Sequence, residues 1–168
     1  KSSLFATMYS EHYEGSGEAA VQLPPFCNNS GADVWTSAIL HTLVKKNKFV
    51  RTLEVGLACG FSAASLAQTH ASSAIKAVEA GNYGGDTDRR YVHYAIDPSQ
   101  HASSAVDGVA PQSLHFNGTA VKVIDALELK DHFELLEEPS HAALPRLLQQ
   151  LGPGSFDIIF IDGMHLYD

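Results

Sequence analysis

The sequence contains no apolar run near the roughly 18 residues needed to cross a bilayer, so no membrane span is expected. The opening Lys1-Ser2-Ser3-Leu4 lacks the basic start and apolar middle of a secretory signal. Basic residues are scarce: 11 Lys and Arg stand against 19 Asp and Glu, a formal charge of −8, and no basic run exceeds Lys45-Lys46 or Arg89-Arg90. Such a balance is unsuited to tracking a phosphate backbone, so nucleic acid is not expected as a partner. Cysteine is nearly absent. Cys27 and Cys59 form no CxxC or CxxCH pattern, which gives no sign of a zinc framework or redox pair and predicts two free thiols in a reducing compartment, the cytoplasm. The nine histidines include no HxH, no HExxH and no pair three or four apart on one helix face, so they are expected mostly at the surface. Internal repeats and low-complexity tracts are missing as well.

What is present is one globular domain. At 168 residues and 45% hydrophobic the chain can bury a core without staples. Residues 1–30, broken by Gly15, Gly17, Pro24 and Pro25, read as an arm or lid that could bring Tyr9, Tyr13 and Phe26 over a site; residues 31–168 form the domain proper. Ser30 and Asp33 resemble a capping box ahead of a helix over 32–46, whose apolar positions Val34, Trp35, Ala38, Ile39 and Leu43 recur at helical spacing. Phe49 to Val55 reads as a buried strand stopped by Gly56. A turn over Gly56-Leu57-Ala58-Cys59-Gly60 leads into a helix with Ser62 as its expected cap. Residues 81–90 read as a loop, 91–96 as a second strand, 118–129 as a helix, 133–137 as a third strand, 141–150 as a helix and 156–161 as a fourth strand. Almost wholly apolar strands alternating with helices predict an α/β fold, Rossmann-like and doubly wound, with a mainly parallel sheet covered on both faces.

In such a sheet ligands bind beyond the carboxyl ends of the strands, where this chain places its unusual polar residues. Glu54 and Gly56 close the first strand, Asp97 the second, Glu137 to Ser140 the third, and Asp162 to His165 the fourth. Gly56 and Gly60 permit close approach of backbone to a ligand, the helix that follows offers amides at Ser62 and Ala63 to an anion, and Asp97 stands where a carboxylate accepts ribose hydroxyls. Together they predict a nucleoside-containing cofactor.

The pattern Glu54-x-Gly56-x-x-x-Gly60 departs from the dinucleotide fingerprint G-x-G-x-x-G and resembles motif I of class I S-adenosylmethionine-dependent methyltransferases. Tyr94 to Pro98 is similar to that family's second motif, and Leu135 to Ser140 with Ala143 to Leu147 to its third. Phe156 to His165 resembles the I-D-G-x-H ending of a subgroup related to small-molecule O-methyltransferases. The resemblance implies S-adenosylmethionine as cofactor, bound by Glu54, Gly56, Gly60, Phe61, Ser62, Asp97, Ser140 and Asp162. It also implies a small-molecule acceptor methylated on a hydroxyl. By the same resemblance Asp162 is a candidate ligand for Mg²⁺ or another divalent ion, and His165 and Asp162 are the candidate catalytic residues, with Tyr167 and Asp168 near the acceptor. Pro139 stands where the family commonly has an acidic residue before Ser140. The family's sheet has seven strands in the order 3-2-1-4-5-7-6, so this chain is read as strands one to four, a fragment of the domain or the ordered part of a longer one. The edge of the fourth strand would then be exposed and prone to pair with a second copy. Two further readings stand beside the enzyme: a non-catalytic cofactor-binding or interaction module, and a nicotinamide-dependent oxidoreductase, which the absent G-x-G-x-x-G disfavours.

Overall fold

The computed structural model describes residues 27, 32, 34–81, 90–101 and 116–163. Their order is α1 (Val34–Asn47), β1 (Arg51–Val55), α2 (Phe61–Glu79), β2 (Val92–Ile96), α3 (Thr119–Ala126), a 3-10 turn (Lys130–His132), β3 (Phe133–Leu136), α4 (Ser140–Leu151) and β4 (Ile158–Ile161). The strands form one parallel sheet in the order β3-β2-β1-β4, which is the order expected for the first four strands. β1 and β2 lie inside the sheet and are buried along nearly their whole length, the polar Thr52, Glu54 and His93 included.

Period two divides the strands between the two faces. Leu53, Val92, Tyr94, Ile96 and Leu136 pack with Ala143 and Leu147 of α4 on one face, where Tyr94 meets Phe156 edge to face at 5.4 Å between ring centroids. The opposite face carries α1, α2 and α3. Ala63, Ala64 and Ala67 of α2 are fully buried, and their small side chains bring the helix against Ala95 of β2 and against Ala120, Val123 and Ile124 of α3.

The register aligns the carboxyl ends. Val55 pairs with Ile96 and with Ile161, and Ile96 pairs with Leu136. The ladder continues one rung further: the Gly56 amide donates to Ile96 O, Asp97 to Leu136 O and Asp162 to Val55 O, at 2.9, 3.1 and 2.9 Å. Gly56, Asp97, Glu137 and Asp162 therefore follow at one level, on a common rim.

In α1 Ser37, Leu40 and Val44 are buried, while Trp35, Ile39 and Leu43 point outward, Trp35 at 77% exposure. The helix has two apolar stripes, and the one closed by Val44 meets Leu66 and the β4 residues Ile158 and Phe160. Ser62 is not a cap, since Gly60, at φ +82°, precedes the first turn of α2 and Ser62 lies buried within it. Nor are the thiols free. Cys27 and Cys59 are joined in a disulfide, buried with Phe61 and Phe116, which removes free thiols as a ground for placing the chain in a reducing compartment. The arm proposed over residues 1–30, apart from Cys27, the capping box of Ser30 and Asp33, and the segment after Gly163 lie outside the described residues. Among the described residues no helix is long and apolar enough to cross a membrane.

Candidate functional site

The loop from Gly56 to Gly60 is the centre of the rim. A Cβ on Gly56 would run into the backbone of Asp162 and lie 2.7 Å from Gly163 Cα, and one on Gly60 would lie 2.7 Å from Ala120 Cβ. At φ +95° and +82° both also occupy backbone conformations that side chains disfavour. The glycines thus let the loop after β1 lie directly on the loop after β4 and on α3. Ala58, at φ +48°, adopts the left-handed conformation despite its side chain.

Asp97 holds that loop. Its Oδ2 accepts from the amides of Leu57 at 3.0 Å and Ala58 at 2.9 Å, and its Oδ1 accepts from the Ser99 amide at 2.8 Å. Gln100, fully buried, donates from Nε2 to Ala58 O at 2.8 Å and to Asp97 Oδ2 at 3.3 Å. Charge-assisted bonds to two successive amides fix the loop more firmly than neutral ones would. Next to it, His101 Nδ1 sits 2.8 and 2.9 Å from the two carboxylate oxygens of Glu137, whose Oε1 also accepts from the His101 amide at 3.0 Å. A groove of about 410 Å³ opens beside that pair, floored by Val121, Ile124, Phe133 and Leu135.

Under the loop, on the α2 face, lies a buried polar row. Thr52 Oγ1 is 2.9 Å from His70 Nε2 and 2.9 Å from His93 Nδ1, and His93 Nε2 is 3.4 Å from Glu54 Oε1. The hydroxyl has one proton, so it donates to one ring and accepts from the other. Glu54, His70 and His93 are fully buried, and neither oxygen of Glu54 has a hydrogen-bond partner among the described residues. Burial, followed by the neighbouring His93 and His132 and opposed by Asp157, pushes the pKa of His70 down to about 3. Two interior histidines depart from the surface placement expected of most.

The structure thus brings Glu54, Gly56, Gly60 and Asp97 together, with Phe61 and Ser62 opening α2 directly behind the loop. Asp162 is exposed one residue past β4, its backbone against Gly56, and Ser140 is the first residue of α4 after Pro139. His165, Tyr167 and Asp168 lie outside the described residues. Among the described residues no three His, Cys, Asp or Glu side chains gather as metal ligands, around Asp162 or elsewhere. Gln100 and His101 went unnoticed because both sit in an irregular stretch without periodicity. His93 did carry a signal, a histidine in the middle of an apolar strand.

Residues 53–168 match the model of the methyltransferase domain family. No curated protein matches the chain. Among solved structures, it is similar to an O-methyltransferase from Bacillus cereus in complex with SAH, at 20% identity and a TM-score of 0.53, over 87% of this chain and 50% of that one. It is also similar to the cofactor-bound protein Rv0187 from MTB, at 22% identity and a TM-score of 0.50, over 86% of this chain and 48% of that one. At these identities the likeness shows the fold, and the chain spans about half the length of the structures it matches.

Proposed function

The chain belongs to the methyltransferase domain family, and from that premise we propose that it binds S-adenosylmethionine on the rim and takes part in methyl transfer to a hydroxyl of a small-molecule acceptor. The observation that carries the reading is the levelled rim, on which four strand ends present Gly56, Asp97, Glu137 and Asp162 side by side around a loop with two left-handed glycines. The residues fit the cofactor: the first-turn amides of α2 at Ser62 and Ala63 have no intrahelical acceptor to satisfy and suit a carboxylate. Glu54 keeps two buried oxygens beneath the loop without hydrogen-bond partners among the described residues, and Asp97 Oδ1, which accepts from Ser99, retains a second lone pair for a ribose hydroxyl. When bound, the cofactor supplies a methyl group activated on a sulfonium. The protein's part is to hold two reactants in line and exclude water. Ser140 stands at the adenine end of this reading, and His165 is the residue assigned to take the acceptor's proton.

Isothermal titration with S-adenosylhomocysteine and with NAD tests the cofactor: the first binds and the second does not. Failure of S-adenosylhomocysteine to bind overturns the reading. A second reading is a cofactor-binding module without catalysis of its own. A methyl-transfer assay across small hydroxylated acceptors separates the two. Self-association along the open edge of β4, where Ile159 and Ile161 stand exposed, belongs to the same proposal and is read by sedimentation velocity across a concentration series.

A further inference from the structure

We propose that Gln100 is a positioning residue of the cofactor site, which holds Ala58 in its left-handed conformation and so keeps the Gly56–Gly60 loop in the shape that receives the cofactor; this rests on the proposed cofactor. Ala58 is gripped at both of its backbone groups. Its amide donates to Asp97 Oδ2 at 2.9 Å, and its carbonyl accepts from Gln100 Nε2 at 2.8 Å. The second grip is needed because φ +48° is a conformation that alanine leaves unless its surroundings impose it. Gln100 is itself held, since its backbone carbonyl accepts from the Gly118 amide at 2.6 Å and its side chain spans from Asp97 to the loop.

Gln100 is fully buried, and its Oε1 has no hydrogen-bond partner among the described residues. Of its amide it is Nε2 that makes the grip, on Ala58 O and on Asp97 Oδ2.

The measurements use the whole chain with S-adenosylhomocysteine as probe. Gln100→Leu should weaken binding about tenfold, the scale of one lost buried hydrogen bond. Ala58→Gly, which adopts the left-handed conformation freely, sets the reference affinity for the double variant. The double variant should recover to within about threefold of Ala58→Gly, because glycine no longer needs the grip. Wild-type affinity in Gln100→Leu, or a double variant as weak as Gln100→Leu alone, overturns the proposal. Amide hydrogen exchange at Leu57 and Ala58 in the ligand-free protein separates this outcome from failure of the cofactor reading. Faster exchange in Gln100→Leu than in the wild type upholds the grip even if S-adenosylhomocysteine binds neither, and equal exchange in that case overturns it.

Discussion

The two faces of the sheet are built on opposite principles. The α4 face is an apolar packing of Leu53, Val92, Tyr94, Ile96, Leu136, Ala143 and Leu147. The α2 face carries the row of Thr52, Glu54, His93 and His70 beneath small alanines. Both rows come from the same two strands, alternating residue by residue along β1 and β2. The first face is replaceable by any side chains of the right volume, whereas the second must keep each polar group matched to its neighbour. One face therefore holds the fold and the other holds the underside of the loop.

The largest expected effect lies where the two faces meet. Gly56→Val would drive side-chain atoms into the backbone of Asp162 and Gly163 and force a left-handed φ on a β-branched residue. A loss above about 4 kcal/mol is expected; a denaturant midpoint near that of the wild type would refute it. Leu53→Ala tests the apolar face: a loss of about 2 to 5 kcal/mol with cofactor affinity unchanged in the folded fraction. Weakened affinity there would show that the faces do not divide their roles.

The polar face is read by pH. Burial holds folded His70 at about 3 against an ordinary value of 6.5, so between these values the unfolded chain binds the extra proton. Its contribution is complete above pH 6.5 and falls away as pH drops through that window, by about 1.4 kcal/mol per pH unit. Replacing His70 with leucine should flatten that slope in chemical denaturation between pH 7 and 5; equal slopes would locate the acid sensitivity elsewhere. The smallest effect is at the exposed rim. Asp162→Ala should shift stability by no more than about 0.5 kcal/mol and lower methyl transfer. A large drop in melting temperature would recast Asp162 as part of the fold.

Much of the fold was legible in the sequence because the strands state their own burial. Arg51–Val55, Val92–Ile96 and Ile158–Ile161 are short, rich in apolar and β-branched residues, and bounded by turn residues, and helices of ordinary length separate them. The rim was legible for the same reason, since a polar residue after an apolar strand marks where the sheet ends. Periodicity does not say which of two apolar stripes faces inward, and in α1 it is Leu40 and Val44 that are buried while Trp35, Ile39 and Leu43 are exposed. Nor does it pair distant groups: the Cys27–Cys59 disulfide spans a separation of 32 residues, and no spacing rule links them. Asp97 was assigned a ligand, while its bonds to Leu57 and Ala58 depend on how the loops after β1 and β2 fold together.

The rung of hydrogen bonds that extends past the strands turns the rim into a ruler. Neighbouring strands lie about 4.8 Å apart, so groups on adjacent strand ends are fixed at that interval by the sheet itself. From Glu137 through Asp97 and Gly56 to Asp162 the ruler has three divisions, about 14 Å in all. A ligand must present its polar groups at multiples of that interval to engage several ends at once. One nucleoside joined to an amino acid has about that length, whereas a dinucleotide would extend beyond the last mark.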